Sequence, residues 1–405
     1  MLTDSLACAP GALDGLRVLD LTSVVMGPYA TQILGDHGAD VVKIEPPSGD
    51  LMRYPGPARH VGMGAIFLNA NRNKRSVVLD LRHPEGRAAL LALVPGFDAV
   101  VYNVRPQAMA RLGLGYEAFH EVNPRIVYVG AYGFGEDGPY AGRPAFDDVI
   151  QAACALPDLA ARAYGGGYRA YVPMNLCDRL AGAQLVNAIL IALRARDRDG
   201  VGQAVELPMF ETVVSAVLGD HLGQRTFTLD DGDMGYQRIL TQFRRPFGTK
   251  DGYICIIPYN DKHWRDLLDW LGKPELMEDE RFRTQAARSA HIAEVYGFID
   301  TVAAQFTSAQ WMDLLERLDI PYMPVNTLEG LLSDEHLRAV GLFQRVEHPT
   351  EGTITQLRPT LRMSSTPGSV RRHAPTLGEH TEEVLREAGL SLHAIDRLRQ
   401  AGALG

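Results

Sequence analysis

The chain has 405 residues, of which 46% are hydrophobic and 22% are charged. These are ordinary values for a globular protein, and they exclude a disordered or fibrous chain. The length allows two or three domains with a large core. With 40 Lys and Arg against 49 Asp and Glu, the net charge is −9. This acidic balance argues against nucleic acid and anionic membranes as partners, although a local basic pocket for an anionic small molecule is compatible with it.

The cysteine content and the start of the chain bear on cellular location. Cys8, Cys154, Cys177 and Cys255 are widely spaced and include no CxxC pair, so they do not form a disulfide scaffold. We therefore expect a reducing compartment and a cytoplasmic location. The chain start lacks a basic segment followed by an apolar one, so no signal peptide is expected. The most apolar stretch, 185–193, is too short to predict a membrane span.

The first half of the chain alternates between strand-like and helix-like segments. Short apolar runs predict strands, while the stretches from Gly27 to Asp36 and after His83 have helical spacing. This alternation predicts an α/β fold with an open, mostly parallel sheet and helices on both faces. The predicted strands cover 16–21, 39–44, 76–81, 99–102, 125–132 and 203–207.

The segment 179–196 predicts one long helix, apolar on nearly every face between 180 and 193. Such a helix is expected in the middle of the protein or at a subunit contact. Beyond about 225, a hairpin turn at Lys250-Asp251-Gly252 and several helical segments predict a smaller α+β domain over 225–325. The helical segments cover 263–271, 291–306 and 308–318, and a last helix is predicted over 381–388.

Asp178 stands where the long apolar helix is predicted to begin. One interpretation is an N-cap, which is the preferred use of Asp at such a place. The other is a nucleophile, because the helix dipole and the unpaired N–H groups would hold the carboxylate ionised there. An ionised carboxylate in a partly apolar pocket can attack an activated acyl group. The two interpretations are compatible.

A dense polar run precedes the strand predicted over 76–81. Asn69, Asn71, Asn73, Lys74 and Arg75 are either solvated surface or a basic lining for phosphate oxygens. Other motifs are absent: Gly133, Gly135 and Gly138 match GxGxxG, but Pro139 follows and no helix opens there, so we predict a loop and no nicotinamide site. The histidines show no ligand spacing, and no metal is expected.

Seven segments occur in one order between about residue 13 and about residue 390. They read LDGLRVLDLT, MGPYATQILGDHGADVVKIEPP, NRNKRSVVLDLRHPEGR, NVRPQAMARLGL, NPRIVYVGAYGFGEDGPY, NLCDRLAGAQLVNAILIALRARDRDGVGQAVELPMFE and APTLGEHTEEVL. Together they resemble the class III CoA-transferase family, also called the CaiB/BaiF type. That family includes formyl-CoA transferase, carnitine CoA-transferase and α-methylacyl-CoA racemase.

The resemblance implies an architecture and a set of site residues. A Rossmann-like large domain is expected from 1–224 and 326–405, the latter including a linker, with the small domain 225–325 inserted and two chains interlocked as a homodimer. Asp178 matches the nucleophile of the transferase members. The positions that match CoA contacts are Val24, Val25, Met26, Lys74, Arg75, Asn103 and Arg111.

The resemblance also defines the candidate functions. The first is a CoA-transferase that moves CoA from an acyl-CoA donor to a carboxylic acid through an aspartyl-CoA thioester on Asp178, with no permanently bound cofactor. Succinyl-CoA is a candidate donor and a dicarboxylic acid a candidate acceptor. The alternative is an acyl-CoA racemase or epimerase, but Phe146 stands where racemase members carry an acid/base His. The third is a non-catalytic CoA-binding protein, which an intact Asp178 argues against. Candidate ligands for a second carboxylate are Arg169, Arg225, Arg238, Arg244 and Arg245.

Overall fold

The structure is a computed structural model that describes residues 10–165 and 167–404. Cys8, the chain start and Gly166 lie outside the described residues. In the first half the elements are β1 Arg17–Leu21, α1 Met26–Asp36, β2 Asp40–Glu45, α2 Ala65–Ala70, β3 Lys74–Val78, α3 Pro84–Leu93, β4 Ala99–Tyr102, α4 Pro106–Arg111, α5 Tyr116–Val122, β5 Val127–Tyr132, α6 Asp147–Ala153, α7 Leu156–Tyr164, α8 Leu176–Asp199, β6 Ala204–Pro208 and α9 Met209–His221. In the second half they are α10 Gln237–Leu240, β7 Phe247–Gly248, β8 Tyr253–Ile256, α11 Asp261–Trp270, α12 Gln285–Ala290, α13 Ile292–Ala303, α14 Ser308–Leu318, β9 Tyr322–Pro324, α15 Leu328–Leu331, α16 Glu335–Ala339, β10 Phe343–His348, β11 Gly352–Leu357, α17 Thr381–Glu387 and α18 Leu392–Gln400.

A six-stranded sheet in the order β3-β2-β1-β4-β5-β6 organises the larger part of the chain. Every neighbouring pair in it is parallel. This is the strand order of doubly wound sheets, and the α/β class predicted from the alternating pattern is confirmed. After β1 the chain forms β2 and β3 on one side of β1 in the sheet. It then crosses back to form β4 on the other side of β1. The carboxyl ends of β1 and β4 therefore form the crevice where such sheets bind ligands.

Alternation along β1 separates the two faces of the sheet. Leu19 and Leu21 belong to a buried apolar cluster that includes side chains of α3, α5, α17 and α18. Val18 and Asp20 point to the other face, where α1 packs against β1, β2 and α8. The sequence predicted α17, but it did not predict α18 or the β10–β11 hairpin.

Charged side chains are buried between the sheet and α1. Lys74 Nζ lies 2.9 Å from Asp20 Oδ2, and Lys43 Nζ lies 2.8 Å from Asp50 Oδ2, with all four side chains fully buried. Thr31 of α1 donates its hydroxyl to Asp20. The solvated-surface interpretation of the polar run is wrong for its later part, because residues 71–75 are buried and paired within the fold. An unpaired charge at this depth would be costly, so these partners hold one another in place.

The described chain divides into two compact units. One consists of Met1–Cys154, Val172–Ser215 and His336–Gly405, and the other of Ala155–Tyr171 and Ala216–Glu335. In the second unit α7 packs against α10, a contact that sequence spacing does not reveal. The domain boundaries drawn from the sequence, 225 and 325, stay a prediction. The second unit also holds the antiparallel sheet β7-β8-β9, which confirms the hairpin predicted around Asp251.

Helix α8 is longer than predicted, with 24 residues instead of 18. By length and composition the whole helix could cross a membrane. The sequence analysis did not predict this, because it considered only the stretch 185–193. One such helix is a weak indication, because the core helix of a soluble protein passes the same test. Here α8 packs against α1, α6, β5 and β6.

Candidate active site

Asp178 is the third residue of α8, and Asn175 holds the N-cap position. The N-cap interpretation of Asp178 is therefore wrong, because α8 begins earlier than the apolar pattern indicates. The backbone N–H of Asp178 donates to Asp147 Oδ1 of α6 at 2.9 Å. A carboxylate from a neighbouring helix thus satisfies an N–H group in the first turn of α8.

Gln151 fixes the chain that leads into α8. Its Nε2 donates to Asp147 Oδ2 at 2.6 Å, and its Oε1 accepts the N–H of Val172 at 2.8 Å. Gln151 is fully buried and Asp147 nearly so. Because each end of the Gln151 amide is bonded, α6 sets the position at which α8 and its carboxylate begin.

The electrostatic setting of Asp178 differs from the sequence expectation. Burial, followed by the charge of Asp147, raises the pKa of Asp178 from 3.8 to about 7, although Arg179 opposes the shift. The expectation that the helix end holds this carboxylate ionised is corrected by these two larger effects. At neutral pH the group therefore exists in both protonation states.

Several predicted CoA contacts meet at the crevice between β1 and β4. Val24, Val25 and Met26 follow β1, and Asn103 follows β4 directly. Helix α8 approaches the same place, because a Cβ added at Gly182 would lie 2.7 Å from the carbonyl oxygen of Met26. Asp178 is one turn before Gly182. The structure therefore brings Asp178, Asn103 and the segment from Val24 to Met26 to one end of the sheet.

Lys74 and Arg75 are placed differently. They are the first residues of β3, so their backbones lie at the amino ends of the parallel strands, opposite the carboxyl ends that form the crevice. Lys74 donates to Asp20, Asn71 and the carbonyl of Pro28. Arg75 pairs with Asp40, Glu383 and Glu387. Contact of these two cations with CoA phosphates stays a prediction, and it would require the exchange of these bonds.

Exposed cations instead occur in the segments that follow β3 and β4. Arg111 lies in the last turn of α4, and Arg105 precedes that helix. Arg82 follows β3 and is also exposed, although the sequence analysis did not single it out. The position of a cation after the carboxyl end of a strand was the signal that could have found it.

Phe146 is the exposed N-cap residue of α6 and offers no proton. Among residues 10–165 and 167–404, no group of three or more His, Cys, Asp or Glu side chains could hold a metal ion. The five arginines considered for a second carboxylate all belong to the second unit. There Arg245 pairs with Asp300 at 3.2 Å, while Arg225 donates to the carbonyl of Gly232.

Comparisons with known proteins agree with this geometry. A family model described as CoA-transferase family III matches residues 13–381. The chain belongs to CoA-transferase family III. It is 34% identical to the succinate–glutarate CoA-transferase of Agrobacterium fabrum and 32% identical to the succinyl-CoA:glutarate CoA-transferase of Mus musculus, covering 95% and 86% of those proteins with 93% of its own length.

Two solved structures resemble it over nearly its whole length. The crystal structure of Rv3272 from Mycobacterium tuberculosis superposes with a TM-score of 0.80 at 32% identity, over 92% of this chain and 99% of that one. A CAIB/BAIF family protein from Brucella suis gives a TM-score of 0.77 at 30% identity, over 94% and 100%. This class III CoA-transferase is an enzyme that transfers CoA.

The raised pKa of Asp178 predicts an effect on stability. The pKa of Asp178 is higher in the folded state than in the unfolded one. Ionisation of this carboxyl therefore lowers the free energy of unfolding as the pH rises from about 4 to about 7. We expect Asp178→Asn to raise the free energy of unfolding at pH 8 by about 2–4 kcal/mol, and to change it little at pH 4. Chemical denaturation at both pH values measures this.

The control is Asp148→Asn, which changes the exposed carboxylate next to Asp147 in α6. It should stay within about 0.5 kcal/mol of the wild type at both pH values. An Asp178→Asn variant that is no more stable than the wild type at pH 8 contradicts the raised pKa.

Proposed function

We propose that this enzyme moves CoA from succinyl-CoA to a dicarboxylic acid, with Asp178 as the group that carries CoA between them. The observation that supports it best is the placement of one buried carboxyl, with a pKa of about 7, at the crevice between β1 and β4. The donor and acceptor class are supported by relatives whose names specify succinyl-CoA, succinate or glutarate.

The proposed reaction exchanges thioesters without a metal or ATP. The Asp178 carboxylate attacks the succinyl carbonyl, the C–S bond breaks, and a mixed anhydride and CoA thiolate form. The thiolate then attacks the Asp178 carbonyl carbon, which gives the aspartyl-CoA thioester and releases succinate. The acceptor carboxylate attacks that thioester, the C–S bond breaks, and a second mixed anhydride forms between Asp178 and the acceptor. The expelled thiolate then attacks the acceptor carbonyl of this anhydride, and the acceptor leaves as its CoA thioester. The Asp178 carboxylate is regenerated, so that bonds and charges balance.

Burial serves this chemistry in two ways. A carboxylate with a raised pKa is more basic, and therefore a stronger nucleophile, than an exposed Asp. Water must also be kept from the anhydride and the thioester, which both hydrolyse. The nearly complete burial of Asp178 and Asp147 fits that requirement.

We expect Asp178→Ala to abolish CoA transfer, because the neighbouring Asp147 carboxylate is bonded to the N–H of residue 178 and to Gln151 and does not replace the lost nucleophile. Transfer is measured by mass spectrometry of the thioesters formed from succinyl-CoA and a panel of acids that includes glutarate. In the wild type, hydroxylamine or borohydride added during turnover should modify Asp178, and peptide mapping locates the modification. Asp148→Asn should retain activity.

Two results would contradict this proposal. One is Asp178→Ala protein that keeps more than a small fraction of turnover. The other is incorporation of deuterium at the α-carbon of a 2-methylacyl-CoA in D2O without an acceptor acid, which would favour the racemase alternative.

The activity should also depend on pH through Asp178. The nucleophilic form is the carboxylate, so kcat/KM should fall about tenfold per pH unit below pH 7. Asp147→Asn removes the neighbouring charge and keeps an oxygen for the N–H of Asp178. It should move the acid limb of the pH profile to lower pH, because one of the two causes of the raised pKa is lost. An unshifted limb in Asp147→Asn would refute this assignment.

We also propose the interlocked homodimer that the family resemblance implies. Ile191 of α8 is 67% exposed in the single chain, and Leu180 is 38% exposed, so part of this apolar helix is available to a second copy. Chains that interlock separate only on unfolding, and we expect the dimer to persist on dilution. Sedimentation at nanomolar concentration should give a species with the mass of two chains, and a folded single chain there would exclude interlocking.

A further inference from the structure

The loop between β1 and α1 contains a strained residue. Val24 has a φ of +72°, in the left-handed region that favours glycine. A β-branched side chain is an outlier there, because its Cβ crowds the backbone. Strain of this kind persists only where the surrounding structure holds it, and it is concentrated at functional sites. Val24 lies at the crevice between β1 and β4, where the site was located on other grounds.

Three side chains bond the backbone of this loop, those of Lys43, Asp50 and Asn103. Together they form the loop clamp. Asn103 accepts the N–H of Ser23 at 2.9 Å and donates to the carbonyl of Ser23 at 2.7 Å. Asp50 Oδ1 accepts the N–H of Val24 at 3.1 Å.

Lys43, the third member of the clamp, connects the loop to β2. Its Nζ donates to the carbonyl of Thr22 at 2.7 Å and pairs with Asp50 Oδ2 at 2.8 Å. Lys43 and Asp50 are almost completely buried. The backbone from the carbonyl of Thr22 to the N–H of Val24 is therefore bonded by three side chains on the amino side of the strained residue, and two of these side chains are almost completely buried.

The conformation of Val24 decides where α1 begins. Val25 is the N-cap residue of α1 and makes no side-chain cap, and Met26 is the first helical residue. Helix α8 packs against this helix end at Gly182, one turn after Asp178. If Val24 relaxed to negative φ, the backbone of Val25 and Met26 would move relative to Asp178.

We propose that Lys43, Asp50 and Asn103 are positioning residues for CoA transfer: they hold Val24 in its left-handed conformation, and this holds the amino end of α1 in register with Asp178. The proposal rests on the proposed function, because Asp178 must be the nucleophile for the register to matter. Asn103 then acts through the loop backbone and not as a ligand of CoA.

The test uses full-length enzyme, succinyl-CoA and glutarate. Asn103→Ala should lower kcat about ten- to a hundredfold, the cost typical of a small misplacement, with KM for succinyl-CoA unchanged. Adding Val24→Gly should restore most of the lost kcat, because glycine adopts positive φ without a clamp. Adding Val24→Ala instead should restore much less, since alanine removes the β-branch but keeps the Cβ that disfavours positive φ.

Asn123→Ala is the matched control elsewhere in the first unit. Its side chain also bonds the backbone, donating to the carbonyls of Val94 and Phe97 and accepting the N–H of Arg125, but it precedes the amino end of β5 and not the carboxyl end of a strand. Its removal should leave kcat unchanged. Circular dichroism and melting temperature establish that each variant folds, and Asn103→Ser replaces Asn103→Ala if the latter does not.

Three results overturn the proposal: wild-type kcat in Asn103→Ala, a raised KM for succinyl-CoA with unchanged kcat, or equal effects of Val24→Gly and Val24→Ala in the Asn103→Ala background. Failure of the proposed function looks different. It shows as absence of CoA transfer by the wild type, or as full activity of Asp178→Ala, and the clamp proposal then falls with it.

Discussion

The buried ion pairs between the sheet and α1 are the interaction on which the rest of the site depends. Burial alone raises the pKa of Asp20, but Lys74, Lys43 and two hydroxyl groups outweigh it and hold that pKa below its usual range. Lys43 then connects Asp20 to Asp50 and to the carbonyl of Thr22. Charges buried at this depth stay where their partners are, since separating one pair leaves an uncompensated charge. The loop that opens the crevice is thereby anchored to the strands beneath it.

Asp178 shows how burial can reverse an expectation drawn from a helix end. The helix dipole stabilises a carboxylate by about 0.3–1 kcal/mol at an exposed end. Loss of water and the nearby charge of Asp147 act in the opposite direction, and they raise the pKa to about 7. The same carboxylate that bonds the first turn of α8 therefore makes Asp178 more basic. The approach of α6 to α8 thus contributes both to the start of α8 and to the raised pKa of Asp178.

Much of the fold could be predicted from local pattern, and the site only in part. The strands appear as apolar runs, because each strand of a parallel sheet is covered on both faces. Asp178 could be singled out from its place before the apolar helix. Asp147, Gln151 and Asp50 could not be assigned a role, because their partners lie elsewhere along the chain. Lys74 and Arg75 looked like a phosphate lining, yet their donors are directed to carboxylates and carbonyls within the fold.

The sequence by itself determined the α/β class, the parallel strands, the family and the residue expected to carry CoA. These follow from periodicity and from motifs contained within short segments, so no knowledge of distant contacts is needed. Only the tertiary structure decided that α8 begins before Asp178, that burial and the charge of Asp147 raise the pKa of that carboxyl, and that Val24 is held at positive φ. Each of these depends on side chains from separate segments meeting at one place, and burial gives such meetings their energy, because water no longer competes for the bonds or screens the charges.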